Sequence, residues 1–168
     1  MIDSEELRNF LGSSMRLPQC VINEFCKLSF AYAFAEQKFW KGNAENSKVC
    51  DYADDFIRNT NIDPSPWFND FKTRYVMEPE GLHRLQKLAN RRNHQSMGVN
   101  ERRILSLLQM TNPTSNQKVE AILRIVFRLR NNALHGNKSP YLNDEDQARV
   151  MGVANSFLSN YLCSRADD

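Results

Sequence analysis

The residues of this sequence best suited to chemistry are Arg130, Asn131 and His135, with Gly136 next to the histidine and Lys138 two residues beyond. A histidine titrates near neutrality without help, so it can take or give a proton. An arginine stays charged and presents a fork of donors that fits a phosphate. An asparagine beside it can orient either partner through its amide. These types suit proton transfer on a phosphate ester, with Arg130 holding the charge that grows on the non-bridging oxygens. Geometry restricts the idea, because five residues of ideal helix set Arg130 and His135 about 140° apart. They converge only if the helix tightens near Gly136, if the arginine reaches round, or if a second copy of the chain supplies half of the site. The competing reading is structural: cations in the last turn of a helix are favoured by up to about 1 kcal/mol, and Gly is a common stop.

The element that positions these residues is legible just upstream. Val119, Ile122, Leu123, Val126 and Phe127 recur at helical spacing, so the spacing predicts an amphipathic helix that ends near Gly136. Asn131 and His135, four apart, stack on one side of it. Arg130 falls where the apolar face would continue, which calls for a buried acidic partner or a water-filled cleft.

The run Arg130-Asn131-Asn132-Ala133-Leu134-His135-Gly136, with Lys138 beyond, resembles the Arg-Asn-x-x-x-His signature of HEPN domains. It is most similar to the branch whose helix ends in Arg-Asn-Asn-x-x-His-Gly-x-Lys. The resemblance covers this helix closely and the rest of the chain only through its helical pattern. It implies an all-α helical bundle, usually dimeric. For many members it implies a metal-independent endoribonuclease of toxin, anti-phage defence or RNA-processing systems, with one cleft built from two protomers. On that reading Arg130, Asn131 and His135 are catalytic, Lys138 adds a neighbouring charge, and no cofactor or metal takes part. The ribose 2′-hydroxyl attacks the adjacent phosphorus, leaving a 2′,3′-cyclic phosphate and a 5′-hydroxyl. Other members lack catalysis and bind RNA, a nucleotide or a partner protein. An antitoxin or a nucleotidyltransferase is the kind of companion either sort would have.

Charge is uneven along the chain. Residues 71–138 hold 13 Lys and Arg against 4 Asp and Glu, whereas the remainder is acidic, so the net charge of +2 hides a basic half that carries the motif. That fits an anionic partner such as RNA, or basic helix faces that are merely solvated. Within it, Arg128 and the polar stretch Asn90-Arg91-Arg92-Asn93-His94-Gln95-Ser96 add candidate phosphate contacts through Arg128, Arg91 and Arg92. A solvated loop between helices is the alternative for that stretch.

The chain's 168 residues fit one well-filled domain. The expected order begins with a short helix from Ser4 to about Gly12 and a long helix from Pro18 to Lys41. Helices over Ser47–Asn59 and Trp67–Met77 follow, then one seeded by Pro79 with Leu82, Leu85, Leu88 and Ala89 as its stripe. Asn100–Met110, the motif helix and a last helix capped by Asn143 complete a bundle, in which the motif helix packs against the long helix and the last one. No run alternates as a sheet strand would. No stretch is apolar for long enough to cross a bilayer, and Met1–Glu6 lacks the features of a secretion signal, so a cytoplasmic protein is expected. Cys20, Cys26, Cys50 and Cys163 have no metal-type spacing and read as reduced, mostly buried thiols. His83, His94 and His135 are too scattered for a metal site.

Overall fold

The computed structural model describes residues 18–42, 44–88, 97–134 and 145–165. The expected helix over 4–12, the 90–96 stretch and the Asn143 cap lie outside them. Among the described residues seven α-helices run in order: α1 Gln19–Phe39, α2 Val49–Asn59, α3 Ser65–Lys72, α4 Gly81–Leu88, α5 Val99–Gln109, α6 Ser115–Leu134 and α7 Glu145–Ser164. The described residues contain no strand, so the chain is an all-α bundle.

Local chemistry sets the boundaries. Pro18 precedes α1 and its carbonyl accepts the amides of Val21 and Ile22, while its own missing amide loses nothing there. At the other end Gly42 sits at φ +72°, a conformation that suits glycine, and its amide donates to the Glu36 carbonyl. After α3 the chain widens into a π-helical turn over Thr73–Met77, where the Glu78 amide donates to Thr73. Gly81 then passes so close to Tyr75 that a Cβ would meet its backbone carbon and oxygen at 2.6 Å.

Helix α6 is the centre of the bundle. Besides the predicted face, a second stripe of Ala121, Ile125 and Leu129 is buried, so most of its circumference is covered. This corrects the expected packing. α6 touches α1 and α7, but its longest contacts are with α2 and α5, while α1 packs chiefly along α7. The second stripe is the reason, since it gives α6 a further apolar side to cover. α1 and α7 run in the same direction, with Asn155 donating to Glu24 near one end and Phe39 stacked on Tyr161 at 4.1 Å near the other. All seven helices contribute to one core.

Two expectations about burial change. Leu82 is exposed, because it lies on the flank of its stripe and not at its centre. Cys20, Cys50 and Cys163 are also exposed and only Cys26 is half-buried, so the thiols are not core residues. Each stands on a helix side turned away from neighbours such as Val21, Val49 and Tyr161 that do fill the core. No described helix is long and apolar enough to cross a membrane.

Candidate active site

Arg130 lies in the last described turn of α6 and leans on α1. Its guanidinium carbon sits 4.9 Å from the centre of the Tyr32 ring, and its Nη2 is 3.9 Å from Glu36 Oε2. Tyr32 and Glu36 are four apart on α1 and therefore form one ledge. The Arg130 Nη1 also donates to Asn131 Oδ1 at 3.0 Å. Glu36 is itself fixed, because its Oε1 accepts the Ala44 amide at 3.0 Å. Of the buried acidic partner or water-filled cleft that the sequence called for, the structure supplies an acid, Glu36, that is only partly buried. It stands at the edge of the core, leaving the Arg130 side chain 30% exposed.

The strengths of these contacts matter for function. A cation over an aromatic ring is worth about 0.5–1 kcal/mol at exposed sites and about 2 kcal/mol when desolvated. Tyr32 is buried but the Arg130 side chain is 30% exposed, so their contact lies between these limits, and a partly exposed ion pair rarely adds more than about 1 kcal/mol. Tyr32 stays a neutral phenol, since burial raises its pKa and the Glu36 charge adds to that, against a smaller opposing effect of Arg130. Arg130 is therefore aimed but loosely held, and an incoming phosphate could replace Glu36 as its partner.

Arg128 is held differently. Its Nη2 lies 2.7 Å from Glu101 Oε1, and Glu101 on α5 is only 1% exposed. One turn earlier, Arg124 donates to Glu120 Oε1 at 2.9 Å and to Asn100 Oδ1 at 2.8 Å. Arg103 adds two bonds to the Glu120 carboxylate, at 2.9 and 2.6 Å. Burial opposes ionisation of Glu120, but the Arg103 and Arg124 hydrogen bonds outweigh it and hold the carboxyl below its ordinary value. These pairs seam α5 to α6. They also redraw the basic half: Arg74, Arg84, Arg103, Arg124, Arg128 and Arg130 all face carboxylates of this same chain.

Asn132 contributes a link that the sequence did not reveal. Its Nδ2 donates to the Leu88 carbonyl at 2.9 Å, tying the end of α4 to the last turn of α6. The stretch that carries Arg91 and Arg92 leaves the described residues from this junction. The structure thus brings together Arg130 and Asn131, and sets Arg128 against α5. His135, Lys138, Arg91 and Arg92 lie outside the described residues. Tyr32 and Glu36 went unnoticed as site residues. The available signal was an acid one turn after a tyrosine on the aromatic face of the long helix. Among the described residues no group of three His, Cys, Asp or Glu could hold a metal ion.

No family model matches this chain, and no curated protein and no solved structure matches it either. The HEPN resemblance therefore rests on the motif helix alone.

Proposed function

We propose that this protein is a metal-independent endoribonuclease of the HEPN type, in a toxin, anti-phage defence or RNA-processing role. The observation that carries the reading is the loose hold on Arg130 by the Tyr32–Glu36 ledge beside Asn131. A structural arginine is better served by a close bidentate partner, as Arg103 is by Glu120. In the proposed reaction His135 takes the proton of a ribose 2′-hydroxyl, and the 2′-oxygen forms a bond to the adjacent phosphorus. The bond from phosphorus to the 5′-oxygen breaks, and that oxygen leaves as a hydroxyl after taking a proton. Arg130 binds the non-bridging oxygens as their charge grows, and Asn131 keeps its guanidinium in register. Lys138, Arg91 and Arg92 supply phosphate contacts along the RNA. A second copy of the chain completes the cleft by bringing its own residues to the gap of about 140° between Arg130 and His135.

A second reading, a non-catalytic module that binds RNA, a nucleotide or a partner protein, is favoured by one observation. The pairing of Arg103, Arg124 and Arg128 with buried carboxylates makes much of the basic half structural. The two readings separate in one experiment. RNA incubated with the purified protein in chelator should acquire 2′,3′-cyclic phosphate and 5′-hydroxyl ends, and His135→Ala should abolish most cleavage while RNA binding falls far less. RNA that is bound but never cut would establish the binding module instead, and RNA cut equally well by His135→Ala would overturn the proposed role of His135. Sedimentation as a monomer at tens of micromolar with activity intact would remove the composite cleft.

A further inference from the structure

Phe30 and Phe34 are 63% and 66% exposed, one turn apart on α1. Lys27 and Gln37 continue the same face at intervals of three, and both are exposed as well. The spacing 27, 30, 34, 37 is that of a coiled-coil seam, and the four positions fall within an arc of about 80°. Tyr32, on which Arg130 rests, stands about 160° from both phenylalanines. The seam therefore lies on the outer side of the bundle, across α1 from the candidate active site. Lys27 is paired with Glu24 of its own helix at 2.6 Å, which offsets its charge without covering the rings.

We propose that this seam packs against the same seam of a second copy of the chain, with the two α1 helices antiparallel about a two-fold axis level with residue 32. In that register the seam is its own complement. Its four positions are symmetric about residue 32, so Phe30 of one copy meets Phe34 of the other, and Lys27 meets Gln37. Charge selects the direction. A parallel pairing would set the two Lys27 side chains next to each other, whereas the antiparallel one keeps them about 15 Å apart along the helix, beyond the screening length of about 8 Å. The area is that of a small interface. A buried aromatic side chain covers about 150–250 Å², so rings that are two-thirds open offer about 130 Å² each and four of them about 500 Å². That is near half of the roughly 1,000 Å² a specific interface needs, and slightly more than half of such an interface is ordinarily apolar. Ala33, Gln37 and the stem of Lys27, all exposed beside the rings, provide the remainder. This pairing is weak, and it is separate from the composite cleft, because Arg130 lies on the far side of α1.

Sedimentation of the full-length protein between about 1 and about 200 μM tests this. The average mass should rise with concentration through a doubling step. Phe30→Ser with Phe34→Ser should weaken that step by at least about 100-fold, since the large side chains at the centre of an interface carry most of its energy. Both rings are open to water in the single chain, so the helical circular dichroism and the melting temperature should stay at wild-type values and serve as the control for folding. Gln37→Glu tests the direction without touching the rings. It should tighten the pairing by about threefold, because it sets a carboxylate beside Lys27 of the second copy; in a parallel pairing it would meet its own counterpart and weaken the step. A single-chain mass at every concentration, association that survives Phe30→Ser with Phe34→Ser unchanged, or a weaker step in Gln37→Glu would overturn the proposal. None of these measurements uses RNA, so their outcome is independent of whether the protein cleaves it.

Discussion

Replacing Glu120 by Gln should lower the melting temperature by about 6 °C at pH 7, and the loss should vanish in acid. Glu120 is 3% exposed and accepts three hydrogen bonds, two from Arg103 and one from Arg124. Gln keeps the shape and one acceptor oxygen, but it removes the charge and turns an amide NH2 toward a guanidinium. Breaking a fully buried pair costs about 3–5 kcal/mol. The Arg103 side chain is 42% exposed, so water recovers part of its loss, and roughly 2 kcal/mol is the better figure. For a chain of this length each kcal/mol moves the midpoint by about 3 °C. The pH dependence follows from the carboxyl's lowered pKa, which the two arginines impose against the opposing pull of burial. As the pH falls through the ordinary glutamate range, the unfolded chain binds this proton before the folded one does, so wild-type stability drops there. Its contribution is complete above about pH 5 and is lost as the pH falls through the lowered folded value. The Glu120→Gln variant has no such proton to bind, so the two melting curves should converge. Thermal unfolding of both proteins by circular dichroism between about pH 3 and pH 7 measures this. A gap of equal size at both ends, or none at neutral pH, would show that the α5–α6 seam is not held by this charge.

Arg128→Ala should destabilise the fold more than Arg130→Ala, because it strands the buried Glu101 while Arg130 loses only edge contacts; equal melting temperatures for the two variants would contradict the division between them. If the proposed reaction is right, Arg130→Lys should lose cleavage by about 10²-fold or more despite keeping its charge, since one ammonium cannot replace the guanidinium fork. A lysine variant that cleaves normally would reduce Arg130 to a point charge. Changing Arg91 and Arg92 together to Ala should flatten the salt dependence of single-stranded RNA binding by about 1.4 in log–log slope, measured by titration at several salt concentrations. An unchanged slope would return that stretch to solvated surface.

Much of this fold was readable because its signals are local. Pro18, Gly42 and the Asn112–Pro113 break mark helix ends through backbone chemistry that needs no tertiary partner, and α2, α5 and α7 appear close to where their apolar periods place them. The first turn of α6, from Ser115, carries no apolar signal, because it is polar and the stripe begins only at Val119. What stayed hidden is non-local. The Glu120–Arg124 pair is an i, i+4 contact that spacing allows, but nothing near Arg103 announces that it will bind the same carboxylate, and the link from Asn132 to Leu88 spans 44 positions. The site was legible as a set of residue types, but the Tyr32 and Glu36 ledge was not, since it depends on how α1 crosses the end of α6.

The arginines of α6 show why composition alone misleads about function. Arg124, Arg128 and Arg130 share a helix, a charge and a position in the basic half, and a charge map treats them alike. The structure separates them by the burial of their partners. Glu101 is almost fully buried, and releasing Arg128 would leave its carboxylate charged inside the core at a cost of several kcal/mol. Glu120 would keep Arg103, but Arg124 is itself mostly buried and is held by Asn100 as well. Neither Arg124 nor Arg128 is thus at liberty to serve an anion in solution. Glu36 is partly open to water, so it can be rehydrated when Arg130 turns to another partner, and the exchange costs little. Of the three, Arg130 alone combines a fixed direction, given by Tyr32 and Asn131, with a partner weak enough to surrender. A guanidinium that must bind a phosphate and let it go needs both properties.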